Sequence, residues 1–275
     1  MKFFAALQSV LPQHHLSRAI GWLAHLEHPQ WLKNMLIRLF MRSYGISLEE
    51  AVLASANDFS HFNAFFTRAL KEGARPMASA RYIAPADGQV SQCGSLESGE
   101  LLQAKGRRYT ASALLGGDDE LAGQFSRGSY GTVYLSPRDY HRVHMPTSGT
   151  LLRTRYIPGD LFAVNSATVH SVDQLFARNE RLVCHFQTAD GPLVLVLVGA
   201  IIVAGIETVW GGVESPQPNT IREKNWHPDE APTLAAGDEL GRFFLGSTVI
   251  MMTAGELQWA VAPGDAVRVK AALAD

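Results

Sequence analysis

The chain has 275 residues, 47% of them hydrophobic, and a formal net charge of −2. That is the composition of a packed globular protein, with no global field to gather nucleic acid, so nucleic-acid binding is set aside. Two cysteines, Cys93 and Cys184, are too few for a disulfide framework and suit a reducing compartment, where each reads as a small buried hydrophobe.

From Met1 to Leu7 the chain has the look of a signal peptide, but the apolar run breaks at Gln8 and no small-residue cleavage site follows, so it is not read as a secretory signal. Residues 1 to about 48 are helical in pattern. Pro29 and Gly45 bracket one helix, on which Trp31, Met35, Leu36, Leu39 and Phe40 recur at helical spacing, with Asn34, Arg38 and Arg42 on another side. Lys2, Arg18, Lys33, Arg38 and Arg42 face a single acid, Glu27, over this region. Basic residues with Trp22 and Trp31 suit a helix lying in the interface of an anionic bilayer; packing on the protein's own core is the plainer reading.

Residues 49–72 continue in a helical pattern as far as Arg75-Pro76. From Tyr82 onward short β-like runs alternate with Gly, Pro, Asp and Ser. The apolar run from Leu193 to Ile206 is too short and too rich in Val, Ile and Gly for a membrane span, and reads as one or two buried strands. A polar stretch from Glu214 to Gly237 reads as a long loop, and Val261 to Val269 as a strand pair about Pro263-Gly264-Asp265. The expected fold class is α+β, with N-terminal amphipathic helices (residues 1–75) followed by a mostly antiparallel β body (residues 76–275).

Three residue groups carry chemistry. In Gly241-Arg242-Phe243-Phe244-Leu245-Gly246-Ser247-Thr248-Val249-Ile250, a Gly-Ser-Thr step interrupts two buried-strand patterns, which places Ser247 on a tight, buried turn beside a glycyl carbonyl. Asp87 precedes a glycine in the turn of Ala84-Pro85-Ala86-Asp87-Gly88. His141 and His144 stand three apart in Tyr140-His141-Arg142-Val143-His144-Met145-Pro146, so in a strand they point to opposite faces. Each has a bland reading: a bulge, an Asp-Gly turn, a hydrogen-bonded structural histidine. The His-x-x-His spacing invites a metal, but no further cluster has ligand spacing, and no metal is expected. Together, Asp87, His144 and Ser247 offer an orienting carboxylate, a general base and a hydroxyl, the roles of a serine hydrolase.

With these segments in view the chain resembles the phosphatidylserine decarboxylase family of the bacterial, membrane-associated, pyruvoyl-dependent type. The resemblance also covers Phe62-Asn63-Ala64-Phe65-Phe66-Thr67-Arg68, Gln103-Ala104-Lys105-Gly106, Pro158-Gly159-Asp160-Leu161-Phe162 and Phe176-Ala177-Arg178-Asn179-Glu180-Arg181. It implies that His144, held by Asp87, takes the proton of Ser247, whose oxygen attacks the Gly246 carbonyl. The resulting ester eliminates, and hydrolysis leaves a pyruvoyl group made from Ser247. The products are a β chain of residues 1–246 and an α chain of residues 247–275, which stay together as a heterodimer and are expected to assemble further.

The resemblance also implies that the phosphatidylserine amine forms a Schiff base with the pyruvoyl group. CO2 is lost, and phosphatidylethanolamine is released after protonation, for which His141 is the preferred donor. Phe162, Phe176 and Arg178 are candidates to shape the lipid site, and Lys105 to meet a phosphate; core packing, a surface ion pair and an ordinary exposed lysine are the plainer readings. The implied location is the cytoplasmic side of the cell membrane, peripherally bound to an anionic surface. Two other classes of function compete. A serine hydrolase acting on an external ester would keep Ser247 intact, though no Gly-x-Ser-x-Gly elbow surrounds it. A non-catalytic lipid-binding protein would be indifferent to Ser247.

Overall fold

The structure, a computed structural model, describes residues 13–104, 106–201, 205–215, 219–244 and 247–275. Two helices come first, α1 (Gln13–Ala24) and α2 (Gln30–Tyr44), and then a five-residue helix, α3 (Phe62–Phe66). Pro29 and Gly45 bound α2 as the sequence suggests. Gly45 closes it in the left-handed region at φ 64°, a conformation that glycine adopts without strain. The helical expectation for residues 49–72 is corrected: apart from α3, this stretch is turns and bends around a small core in which Phe59 and Phe65 pack with Ile37 and Leu48.

The body is antiparallel. Its strands up to the middle of the chain are β1 (Tyr82–Ile83), β2 (Gly88–Ser95), β3 (Glu100–Ala104), β4 (Arg107–Thr110), β5 (Ser129–Leu135), β6 (Arg142–His144) and β7 (Gly149–Ile157). There follow β8 (Arg181–Thr188), β9 (Gly191–Val198), β10 (Gly205–Thr208), β11 (Gly212–Ser215), β12 (Arg222–Asn225), β13 (Thr233–Leu234), β14 (Glu239–Phe244), β15 (Ser247–Thr253), β16 (Ala266–Val267) and β17 (Ala272–Ala274). A nine-stranded sheet runs β12-β7-β8-β9-β15-β5-β2-β16, with β13 also on β7, and a four-stranded sheet runs β11-β10-β14-β6.

Alternation along β9 builds two cores. Val194, Val196 and Val198 enter one cluster with Tyr130, Ile250 and Met252, while Leu193, Leu195 and Leu197 enter the other with Val133, Val249 and Met251. A sheet covered on both faces explains why Leu193–Val198 is uninterruptedly apolar, each buried aliphatic contributing about 1.5–3 kcal/mol.

Two further expectations are corrected. The Glu214–Gly237 stretch is not one loop: β12 and β13 pair along β7, although every residue of β12 is exposed and none shows an apolar alternation. Val261–Val269 is not a strand pair; only Ala266–Val267 is a strand, and it pairs with β2.

Candidate active site

The chain passes from the four-stranded to the nine-stranded sheet between Phe244 and Ser247. Ser247 opens β15, opposite Leu135 of β5, and is fully buried. Its Oγ has no hydrogen-bond partner, and neither has the neighbouring Thr248 Oγ1. A buried hydroxyl normally finds a partner, so an orphaned one where the chain changes sheets calls for an explanation other than stability, as the unpartnered Thr248 and Thr132 hydroxyls nearby also do. Gly246 and Lys105 lie outside the described residues.

Two histidines approach differently, His144 from the end of β6 and His141 from the residue just ahead of it. The register of β6 against β14 pairs His144 with Glu239 and Arg142 with Arg242, and the Phe243 N–H donates to the His141 carbonyl. His141 therefore lies toward the end of β14 that leads to Ser247, and His144 toward the other end. His141 is fully buried under the Phe66 ring, centroids 4.0 Å apart. Its Nδ1 sits 2.8 Å from the Asp139 carbonyl, which fixes the proton on Nδ1 and leaves Nε2 bare; that Nε2 is buried and unpartnered. Burial, reinforced by the Arg68 charge, pushes its pKa down to about 3 against the Asp139 hydrogen bond, so the ring is neutral at ordinary pH.

His144 has its Nδ1 2.9 Å from the Gly237 carbonyl and its Nε2 3.2 Å from the Tyr140 hydroxyl, which donates to it. Burial lowers its pKa, partly offset by the Gly237 hydrogen bond. Burial also raises the Tyr140 phenol, to about 12, so it remains a donor.

Asp87 lies in the bend before β2, and the His144 N–H donates to the Pro85 carbonyl in the same bend. Its carboxylate is not hydrogen-bonded to His144. Arg75 grips it through Nε at 3.0 Å and Nη2 at 2.5 Å, and the Val269 N–H donates to it at 2.7 Å. Arg75 also holds Glu50 at 2.8 Å, and these two carboxylates raise its own pKa against the effect of burial. The expected Asp87–His144 contact is thus replaced by an Asp87–Arg75 fork. Sequence reasoning missed it because two residues twelve apart in a turn-rich segment follow no period. The register thus sets His141 nearer than His144 to the end of β14 that leads to Ser247, while Asp87 is held by Arg75 and His144 by Tyr140 and Gly237.

Phe162 and Phe176 are buried in the first core cluster, which also holds Val198, the strand partner of Thr248. Arg178 is half exposed, ion-paired to Asp160 at 2.9 Å, with its guanidinium 4.7 Å from the Phe162 ring centroid.

The N-terminal helices offer a different surface. Trp22, Trp31, Met35 and Leu39 are exposed, and Trp31, Met35 and Leu39 share one side of α2 with Arg38 and Arg42. The arginines therefore interleave with the apolar residues rather than occupying another side, while Ile37 faces inward. Among the described residues no helix is long and apolar enough to cross a membrane.

Comparison with known proteins agrees over nearly the whole chain. The sequence model described as phosphatidylserine decarboxylase matches residues 62–275, and a second, described as PSD, matches residues 3–45. The chain is similar to the phosphatidylserine decarboxylase proenzyme of Alcanivorax borkumensis, 51% identical over 99% of this chain and 95% of the relative. The proenzyme of Methylococcus capsulatus is 49% identical over 99% of this chain and 95% of the relative. That of Pseudomonas aeruginosa is 51% identical over 91% and 88%.

Proposed function

Since the chain belongs to the phosphatidylserine decarboxylase family, and so is a self-processing enzyme that converts phosphatidylserine to phosphatidylethanolamine and CO2, we propose that Ser247 is the centre of both its maturation and its reaction. The observation that carries this is the orphaned, fully buried Ser247 Oγ at the sheet crossing. An oxygen without a hydrogen bond to surrender is free to attack the carbonyl ahead of it.

Loss of the Oγ proton to a base lets the oxygen attack the Gly246 carbonyl carbon, and the C–N bond gives way to an ester. Removal of the Cα proton then expels the Gly246 carboxylate, and water displaces the nitrogen as ammonia, leaving a pyruvoyl group at the head of residues 247–275. The buried position of Ser247, in a strand held on both sides, fits such a group. The group supplies an electron sink for the pair left behind by CO2.

The base in this reading is His144. Its Nδ1–H is held by the Gly237 carbonyl, so Nε2, which accepts from the Tyr140 hydroxyl, is the atom that would have to give up that bond to take the Ser247 proton. Asp87 acts on it only through the bend they share, where the Pro85 carbonyl takes the His144 N–H and Arg75 holds the carboxylate. His141, nearer the end of β14, is the group placed to carry a proton at Nε2 to the carbon that has lost CO2. A second reading exchanges the two imidazoles, and the unpartnered Nε2 of His141 favours it. Intact mass decides: in the first reading His144→Ala and Asp87→Ala stay whole and His141→Ala is cleaved but inactive; in the second His141→Ala stays whole.

The exposed Trp22, Trp31, Met35 and Leu39 among arginines support peripheral docking of α1 and α2 on the anionic, cytoplasmic face of a membrane. Sedimentation with anionic liposomes tests this, and equal recovery after deleting residues 1–40 would refute it.

A further inference from the structure

The two most buried arginines among the described residues are treated in opposite ways. Arg181 is surrounded: its three nitrogens donate to the carbonyls of Leu114 at 2.6 Å, Asn179 at 2.7 Å and Ala113 at 2.8 Å. Arg68, only 7% exposed, makes one long bond, Nη2 to the Arg138 carbonyl at 3.4 Å, and its buried Nη1 has no partner. Among the described residues no carboxylate lies in ion-pair distance of it. The two acids whose charge reaches it are occupied elsewhere, Asp87 by Arg75 and Val269, and Asp139 by the Ser136 N–H and hydroxyl at 2.7 Å each. A buried guanidinium with unmet donors is costly unless an anion arrives from outside.

We propose that the Arg68 guanidinium is the receptor for the phosphodiester anion of the phosphatidylserine headgroup. The inference rests on the reading of Ser247 as the reaction centre. The neighbours of Arg68 place it there. It follows α3, whose Phe66 covers His141 and whose Phe65 lies 5.7 Å beneath the guanidinium, and its charge is one of those felt by His141. In the substrate, phosphorus is three bonds from the carbon that loses CO2, so a phosphate receptor belongs beside the group that protonates that carbon.

The substrate carries a second anion, the carboxylate, and the chemistry decides against it. A cation on the carboxylate would stabilise a charge that vanishes as CO2 departs, holding back the ground state. The phosphodiester keeps its charge throughout, so binding it anchors substrate and transition state alike. The planar fork of arginine matches phosphate oxygens in pairs.

The test uses full-length wild type, Arg68→Met and Arg68→Lys, each checked for self-cleavage by intact mass, then assayed for CO2 release in mixed micelles with two soluble inhibitors. Glycerophosphoserine carries both anions; O-methylserine lacks the phosphate. Expected is complete cleavage in all three, with the glycerophosphoserine inhibition constant raised roughly 10- to 150-fold in Arg68→Met. Arg68→Lys should fall between, and O-methylserine should stay within about twofold of wild type, as a lost hydrogen bond to phosphate alone requires. Equal weakening of both inhibitors would assign the guanidinium to the carboxylate and overturn the proposal, as would no change in either. Loss of cleavage in both variants would overturn it as well, because self-cleavage involves no substrate anion. Failure of the wild type itself to cleave or release CO2 would strike the Ser247 reading beneath it.

Discussion

The body and the N-terminal helices use the same apolar residues in opposite ways. In β9 and β15 every Leu, Val, Ile and Met is buried, split by alternation between two cores. In α1 and α2 the largest ones, Trp22 and Trp31, are 70% and 67% exposed. The body spends its hydrophobic residues on holding a strand rigid between two neighbours; the helices leave theirs uncovered beside arginines. Rigidity is what a buried nucleophile requires, and an uncovered apolar face is what a lipid surface requires.

The contrast can be broken most completely at its centre. Ser247→Ala should give a single full-length chain by mass spectrometry and no detectable decarboxylation, while binding liposomes as wild type does. Acid should separate the regions next. His141 binds its proton only near pH 3 when folded but near 6.5 when unfolded, so the unfolded chain takes up protons first as pH falls below about 6.5. Its contribution is present above that value and lost toward pH 3, on the order of 5 kcal/mol, and His185, lowered to about 4 chiefly by burial, acts in the same direction. Denaturant midpoints measured from pH 7 to 4 should fall accordingly.

A single cavity sharpens the comparison further. Leu195→Ala, in the fully buried row of β9, should lower unfolding stability by about 3 kcal/mol in denaturant titrations. Trp22→Ala with Trp31→Ala should move stability by less than about 0.5 kcal/mol yet reduce co-sedimentation with anionic liposomes.

The same contrast governs what can be read from the chain. The Leu193–Val198 run and the Gly-Ser-Thr step announce themselves because burial imposes a residue type at each position. His141 lies just ahead of β6, so the strand alternation expected of the His141–His144 spacing does not decide their different partners. β12, Arg-Glu-Lys-Asn, is silent because it is an exposed edge whose pairing comes from backbone and from its partner β7. The stretch 49–72 carries aromatic residues at helical spacing that pack as a compact turn-rich knot instead, tertiary contacts overriding propensity. The fork between Arg75 and Asp87, and the solitude of Arg68, depend on which groups meet in space, which no local pattern encodes.

The position of β15 between β9 and β5 has one more consequence. If cleavage falls ahead of Ser247 as proposed, residues 247–275 would be a separate chain, woven into the middle of the large sheet and tied to Asp87 through the Val269 N–H. A piece that short falls below the roughly 40 residues at which a chain folds unaided. On the proposed cleavage, assembly would run in one direction, from an uncut precursor to a mature pair whose short chain would not refold alone. Its lifetime is then governed by how slowly it first opens, and each molecule, once denatured, has to be replaced by new synthesis rather than repaired.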